Sequence, residues 1–293
     1  MQPKSNKKRV FPTAKEDAHS AKMHVDSPQC RSASYRLAYL DDELILRDEL
    51  RPVRLQLELL KAELIQHEMG IESTVVIYGS GRIPDPENAT AELVAVKTRI
   101  KGHKNDPEMK KALRRAQRDL ERSRYYDEAR RLAGLISINS PRDRLVVVTG
   151  GGPGIMEAAN RGAHESGCQS IGLNIVLPFE QAPNIFITPE LSFQFHYFAI
   201  RKMHFLLRAK SLVAFPGGYG TLDELFETLT LIQTGKIKPI PVLLFGRSFW
   251  EKIINFKALV EEGNISPKDI DIFTYVETAE EAWEIISQAN GQV

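Results

Sequence analysis

The segment Pro216-Gly217-Gly218-Tyr219-Gly220-Thr221-Leu222-Asp223-Glu224 sets three glycines, a threonine and two carboxylates between two patterned stretches. Ahead of it, Ser211 to Phe215 is an apolar run that reads as a short buried strand. Behind it, Leu222 through Ile232 is amphipathic and reads as a helix. Glycines carry no side chain, so backbone N–H groups between strand and helix can approach a ligand closely. The unpaired amides and positive dipole end of the helix favour an anion, most simply a phosphate. Glu224 lies one turn inside that helix, and an acid beside a phosphate cradle points to chemistry on a phosphorylated small molecule. The same residues admit a structural reading. Thr221-x-x-Glu224 fits a capping box, in which Thr caps the helix and Glu reaches back to the cap amide. The two roles compete for one side chain.

Two further glycine clusters close apolar runs. Gly79-Ser80-Gly81-Arg82 follows Ser73 to Tyr78, and Gly150-Gly151-Gly152-Pro153-Gly154 follows Leu145 to Thr149. Their spacing argues against a dinucleotide site. G-x-G-x-x-G counted from Gly150 or Gly152 would need glycine at Ile155 or Glu157, and the run Ile171 to Val176 does not end in an acid. No G-x-x-x-x-G-K-[ST] occurs. Gly150 to Gly154 suits a phosphate or ribose approach, or else a tight turn with close helix packing. A helix from about Leu191 to Arg208 carries Ala199, Met203 and Leu206 on one stripe and Tyr197, Arg201, His204 and Arg208 on another, which could face the same crevice. His196 and His204 have no third ligand nearby, and the seven histidines show no metal spacing. No serine–histidine–aspartate elbow is visible.

These residues carry a family resemblance. Pro216 to Glu224 resembles the PGGxGTxxE signature of the LOG ("Lonely Guy") family. Gly150 to Met156 is similar to that family's other glycine-rich motif, and Arg201-Lys202 matches its basic pair. The resemblance runs from about Ser73 to Phe245. It implies a Rossmann-like sheet and cleavage of a nucleoside 5′-monophosphate, AMP or a cytokinin riboside monophosphate, into free base and ribose 5-phosphate. It also implies Arg201 and Glu224 as the catalytic pair. Gly79, Ser80, Gly150, Gly151, Gly152, Lys202, Gly217, Gly218, Gly220 and Thr221 would then hold phosphate and ribose. No metal or organic cofactor is implied. Older names call such proteins lysine decarboxylases, but no lysine in a pyridoxal-like setting is evident. A non-catalytic carrier or sensor of a nucleotide or phosphorylated cofactor is the alternative, since fold does not fix function.

The elements that must position these residues read as α/β. Continuous apolar strands alternating with helices indicate a doubly wound parallel sheet covered on both faces. Candidate strands are Ser73 to Tyr78, Leu145 to Thr149, Ser170 to Val176, Ile185 to Ile187, Ser211 to Phe215, Ile240 to Phe245 and Ile272 to Val276. Ligands in such sheets bind beyond the carboxyl ends of strands, and all three glycine clusters fall there. The chain divides into a polar, basic tail (1–33) expected to be disordered, a helical extension (34–70) and a Rossmann-like nucleotide-binding domain (71–293). In the extension, Pro52 separates two helices or kinks one. Residues 84–143 form a charged helical insertion, in which Lys97 to Arg131 holds 13 Lys or Arg against 6 Asp or Glu. A solvated face is the plainer reading of that charge, ahead of a nucleic-acid surface.

With 293 residues, 42% hydrophobic and 26% charged, the composition is that of an ordinary globular protein. A net charge of +1 gives no global reason to expect nucleic acid or membrane partners. No apolar stretch approaches the ~20 residues that span a bilayer. Two distant cysteines, Cys30 and Cys168, and no secretory leader pattern make a reducing cytoplasm the expectation. A homo-oligomer is expected, with apolar surface on the helical extension to support it.

Overall fold

A computed structural model of the chain describes residues 10–21, 26–101, 106–140, 145–178 and 182–291. These residues form two compact units, one ending at Glu58 and the other beginning at Leu59. The second unit is built on seven strands: β1 (Ser73–Tyr78), β2 (Leu145–Thr149), β3 (Ser170–Ile175), β4 (Ser192–Phe195), β5 (Ala209–Ala214), β6 (Val242–Phe245) and β7 (Phe273–Val276). All pair in parallel in the order β4-β3-β2-β1-β5-β6-β7.

Strand residues alternate between two cores, as the two-residue period of a pleated strand requires. Val76, Tyr78, Leu212 and Ala214 join the core closed by the helices Phe198–Leu207 and Tyr219–Gln233. Val75, Ile77, Val213 and Phe215 join the opposite core, closed by the helices Pro107–Asn139, Ile155–Glu165 and Ala279–Ala289. Both faces are covered, which is why the strands read as unbroken apolar runs. The sheet grows from β1 in one direction through β2, β3 and β4, then returns to the other side of β1 with β5. The carboxyl ends of β1 and β5 therefore flank a topological switch point.

The structure departs from the sequence reading at identifiable places. Ile185 to Ile187 is not a strand; the edge strand is Ser192–Phe195, inside the stretch read as the start of a helix. Phe193 and Phe195 are buried while Gln194 is exposed, so this four-residue segment alternates with period two and the helix begins only at Phe198. Pro52 neither splits nor kinks a helix. It is the second residue of the helix Arg51–Glu68, where a missing N–H costs nothing.

Within residues 84–143, Pro86–Ile100 and Pro107–Asn139 are helices. The second half of the latter buries Tyr125, Tyr126, Ala129, Leu132, Ala133 and Ile136 against the sheet, so it is also the β1–β2 crossover helix. Within residues 1–33, Ala14–Ser20 is helical, started by a Thr13/Glu16 capping box. The Lys7-Lys8-Arg9 cluster lies outside the described residues.

Candidate active site

Backbone hydrogen bonds join the three glycine loops at the carboxyl edge. Phe215 N–H donates to the Tyr78 carbonyl (2.8 Å), Ser80 N–H to the Pro216 carbonyl (3.0 Å), and Ile155 N–H to the Ser80 carbonyl (3.2 Å). The loop after β1 is thus stitched on one side to the loop after β5, and on the other to the helix that follows the loop after β2. They border one region around the switch point.

The individual glycines serve different ends. A Cβ on Gly79 would lie 2.5 Å from Ile155 Cγ2, and one on Gly217 would lie 2.1 Å from Thr221 Oγ1, so both are required by packing. One on Gly150 would lie 2.7 Å from Arg201 Nη2. Gly151 has φ +77° and faces Asn174. Gly152 is overlain by the flexible end of Met156. Ser80 Oγ accepts from Arg82 N–H within its own turn (3.1 Å). At Gly218 and Gly220, by contrast, a Cβ would meet nothing within 4 Å. Neither packing nor positive φ requires glycine at these two positions.

The helix after β5 starts at Tyr219, three residues earlier than a Thr221 cap would place it, with Gly218 at the N-cap and no capping side chain. The capping box is not formed. Thr221 is buried in the first turn, and Glu224 is left for another partner. The first-turn amides of Tyr219, Gly220 and Thr221 have no intrahelical acceptor.

That partner is Arg201. Its Nη1 donates to Glu224 Oε1 (3.1 Å), its Nε to the Leu173 carbonyl (2.6 Å), and its guanidinium lies 5.0 Å over the Phe205 ring. Both side chains are nearly enclosed, about a tenth exposed. Burial pushes the Glu224 carboxyl up to about 7, against the nearby Arg201 charge, which lowers it; Asp223 adds to the rise, Lys202 opposes it, and Glu227 adds to it. A carboxyl poised near neutrality can accept or release a proton under ordinary conditions. Lys202 turns to the rim of the helix, 3.0 Å from Asp223 and 3.1 Å from Glu227. Partial burial pulls its ammonium down, but hydrogen bonds to those two carboxylates outweigh that and leave it above the ordinary lysine value.

The stripe Tyr197–Arg201–His204–Arg208 does not converge on this point. Arg201 and Arg208 are seven residues apart, about 10 Å along a helix. Arg208 instead forks onto Glu63 (2.5 and 3.0 Å) and caps the Ile71 carbonyl (3.1 Å), while buried His204 lies 3.4 Å from Glu63. These two belong to the amino edge of the sheet.

A polar network missed in the sequence holds the loop after β2. Thr149 Oγ1 donates to Asn160 Oδ1 (2.7 Å), and Asn184 Nδ2 donates to Asn160 Oδ1 and the Gly151 and Gly152 carbonyls (3.0, 3.1 and 3.0 Å). Its one visible signal was Asn160 on the otherwise small, apolar face Ala158-Ala159-Gly162-Ala163. Among the described residues, no group of three His, Cys, Asp or Glu is placed to hold a metal, and no helix is long and apolar enough to cross a membrane.

Comparison with known proteins bears on the family of this chain. The family described as "possible lysine decarboxylase" matches residues 156–286. The chain is 32% identical, over 55% of its length and 73% of the relative's, to the cytokinin riboside 5′-monophosphate phosphoribohydrolase LOG3 of Arabidopsis thaliana. It is 30% identical, over 55% and 73%, to LOG4 of the same plant. Among solved structures, a molybdenum cofactor binding protein from Rippkaea orientalis overlaps at TM-score 0.44 with 16% identity, covering 74% of this chain and 96% of that one. An overlap that loose bears on nothing beyond general resemblance.

Proposed function

Because this chain belongs to the LOG family, we propose that it hydrolyses the N-glycosidic bond of a nucleoside 5′-monophosphate, such as AMP or a cytokinin riboside monophosphate, giving free base and ribose 5-phosphate. The observation that carries this reading is the enclosed Arg201–Glu224 pair beside an uncapped, glycine-lined helix start. The phosphate rests against the first-turn amides, where Gly218 and Gly220 leave clearance. Departure of the base leaves positive charge on the ribose, an oxocarbenium-like state. Glu224 stabilises that charge and orients a sugar hydroxyl or the attacking water. A guanidinium offers a rigid fork of donors and no acceptor, so Arg201 positions the carboxylate.

The fractional protonation of Glu224 near neutrality has a second consequence. An anionic substrate beside Glu224 is repelled less while that carboxyl is neutral, and the carboxylate needed for chemistry forms within the same pH range. The test is chromatographic. Glu224→Ala and Arg201→Ala are each expected to abolish release of base from AMP while the melting transition stays cooperative. Near-native release by either variant removes that residue from the reaction.

A further inference from the structure

Tyr78 ends β1 at the switch point, and its carbonyl is tied to Phe215 at the mouth of the signature loop. The residue is 3% exposed and its ring stands edge-on to Phe205 at 5.0 Å, the same ring that carries the Arg201 guanidinium on its face. Burial raises its phenol well above the usual tyrosine range; Glu224 contributes to the rise, Arg201 opposes it, and Glu227 and Asp223 add to it. Tyr78 therefore remains an O–H group at working pH, close to the charges of the site.

That hydroxyl has no hydrogen-bond partner among the described residues. Among the described residues, the other two buried tyrosines on the crossover helix are both engaged: Tyr126 donates to Glu157 (2.8 Å) and Tyr125 accepts from Arg124 (3.0 Å). Tyr78 makes no such bond, yet its oxygen is not among the polar atoms sealed away from solvent. A buried tyrosine normally finds a partner for its hydroxyl, and phenylalanine would fill the same apolar space without an unsatisfied donor.

We propose that Tyr78 is a sugar-contacting residue of this site, its hydroxyl hydrogen-bonding the ribose hydroxyl adjacent to the glycosidic carbon and so selecting ribose over 2-deoxyribose. The inference rests on the phosphoribohydrolase reading, which puts the reacting carbon beside Glu224. With phosphate at the helix start and Glu224 at that carbon, the neighbouring sugar hydroxyl falls to the group that shares this corner. Hydrogen bonds to that hydroxyl strengthen in glycosidic transition states, and a site built to bond a hydroxyl discriminates sharply against the analogue lacking it.

The test is calorimetric binding of ribose 5-phosphate and 2-deoxyribose 5-phosphate to the full chain and to Tyr78→Phe, which keeps the ring and its contact with Phe205. The wild type is expected to favour the ribose compound by about tenfold or more, and the variant to bind both within about threefold, with affinity for the deoxy compound unchanged. Equal discrimination in the two proteins overturns the assignment, as does a wild type that does not distinguish the sugars. An equal loss for both ligands in the variant also overturns it, because that is a packing effect. Release of base from AMP, followed in parallel, separates the two claims. Discrimination lost in the variant without any wild-type hydrolysis sinks the reaction and keeps the contact, whereas hydrolysis with unchanged discrimination sinks only the contact.

Discussion

Glu224 lies 3.1 Å from a guanidinium and still titrates near 7, so desolvation outweighs the ion pair at this position. If the ionised carboxylate does the chemistry, kcat/KM rises with pH through about 7. Lys202 is one of the cations holding that value down, while Asp223 and Glu227 push it up. Lys202→Met is accordingly expected to move the acidic limb to higher pH, read from a pH–rate profile. A raised KM with an unmoved limb would instead assign Lys202 to substrate phosphate. Gly150→Ala tests the pair from the other side. Its methyl would press on Arg201 Nη2 and Met156 Sδ, and a shift of about 1 Å in a catalytic group can cost about a hundredfold in rate. The expected result is that loss in kcat with a nearly unchanged melting temperature. At this scale the sequence showed which residue types cluster, because glycine, Arg201 and Glu224 carry their chemistry in their identity. It could not separate glycines that face open space, Gly218 and Gly220, from those needed for packing, Gly79 and Gly217. That distinction depends on neighbours such as Ile155 and Thr221 that arrive from elsewhere in the fold.

The helix Phe198–Leu207 shows what periodicity can and cannot supply at the scale of an element. Residues 201, 204 and 208 share a stripe, but the helix runs from the carboxyl to the amino edge of the sheet, so only its first turn reaches the glycine loops. Its other end is fastened by Arg208 to Glu63 and the Ile71 carbonyl. Arg208→Met is expected to lower unfolding stability by about 1–3 kcal/mol through the lost charged hydrogen bonds. Turnover per folded molecule should stay at the wild-type level, checked by denaturant titration alongside the base-release assay. The uncapped start of Tyr219–Gln233 was ambiguous for a related reason. Thr221-x-x-Glu224 is a valid capping box in isolation, and the tertiary competitor Arg201, supplied by another helix, takes the glutamate away.

Across the whole molecule, the parallel sheet was legible because strands buried on both faces leave unbroken apolar runs, as in Val75-Val76-Ile77 and Val146-Val147-Val148. The edge strand Ser192–Phe195 was not, since four residues with a polar Gln194 give too short a run to stand out from the helix that follows. Burial of Glu224 also sets a pH dependence for the stability of the whole domain. Its folded pKa lies above the unfolded value, so the folded state binds more protons between the ordinary glutamate value of 4.5 and about 7. Its contribution to stability is therefore full below the lower value and is lost as pH rises through the higher one, a decline on the order of 3 kcal/mol. Denaturant titration should show that decline in the wild type and a weaker one in Glu224→Gln. Most direct for the central claim is the identity of what purified protein releases from AMP. Adenine and ribose 5-phosphate are expected in equal amounts, both absent with Glu224→Ala. Adenosine and inorganic phosphate, or AMP retained intact at one molecule per site, would contradict it.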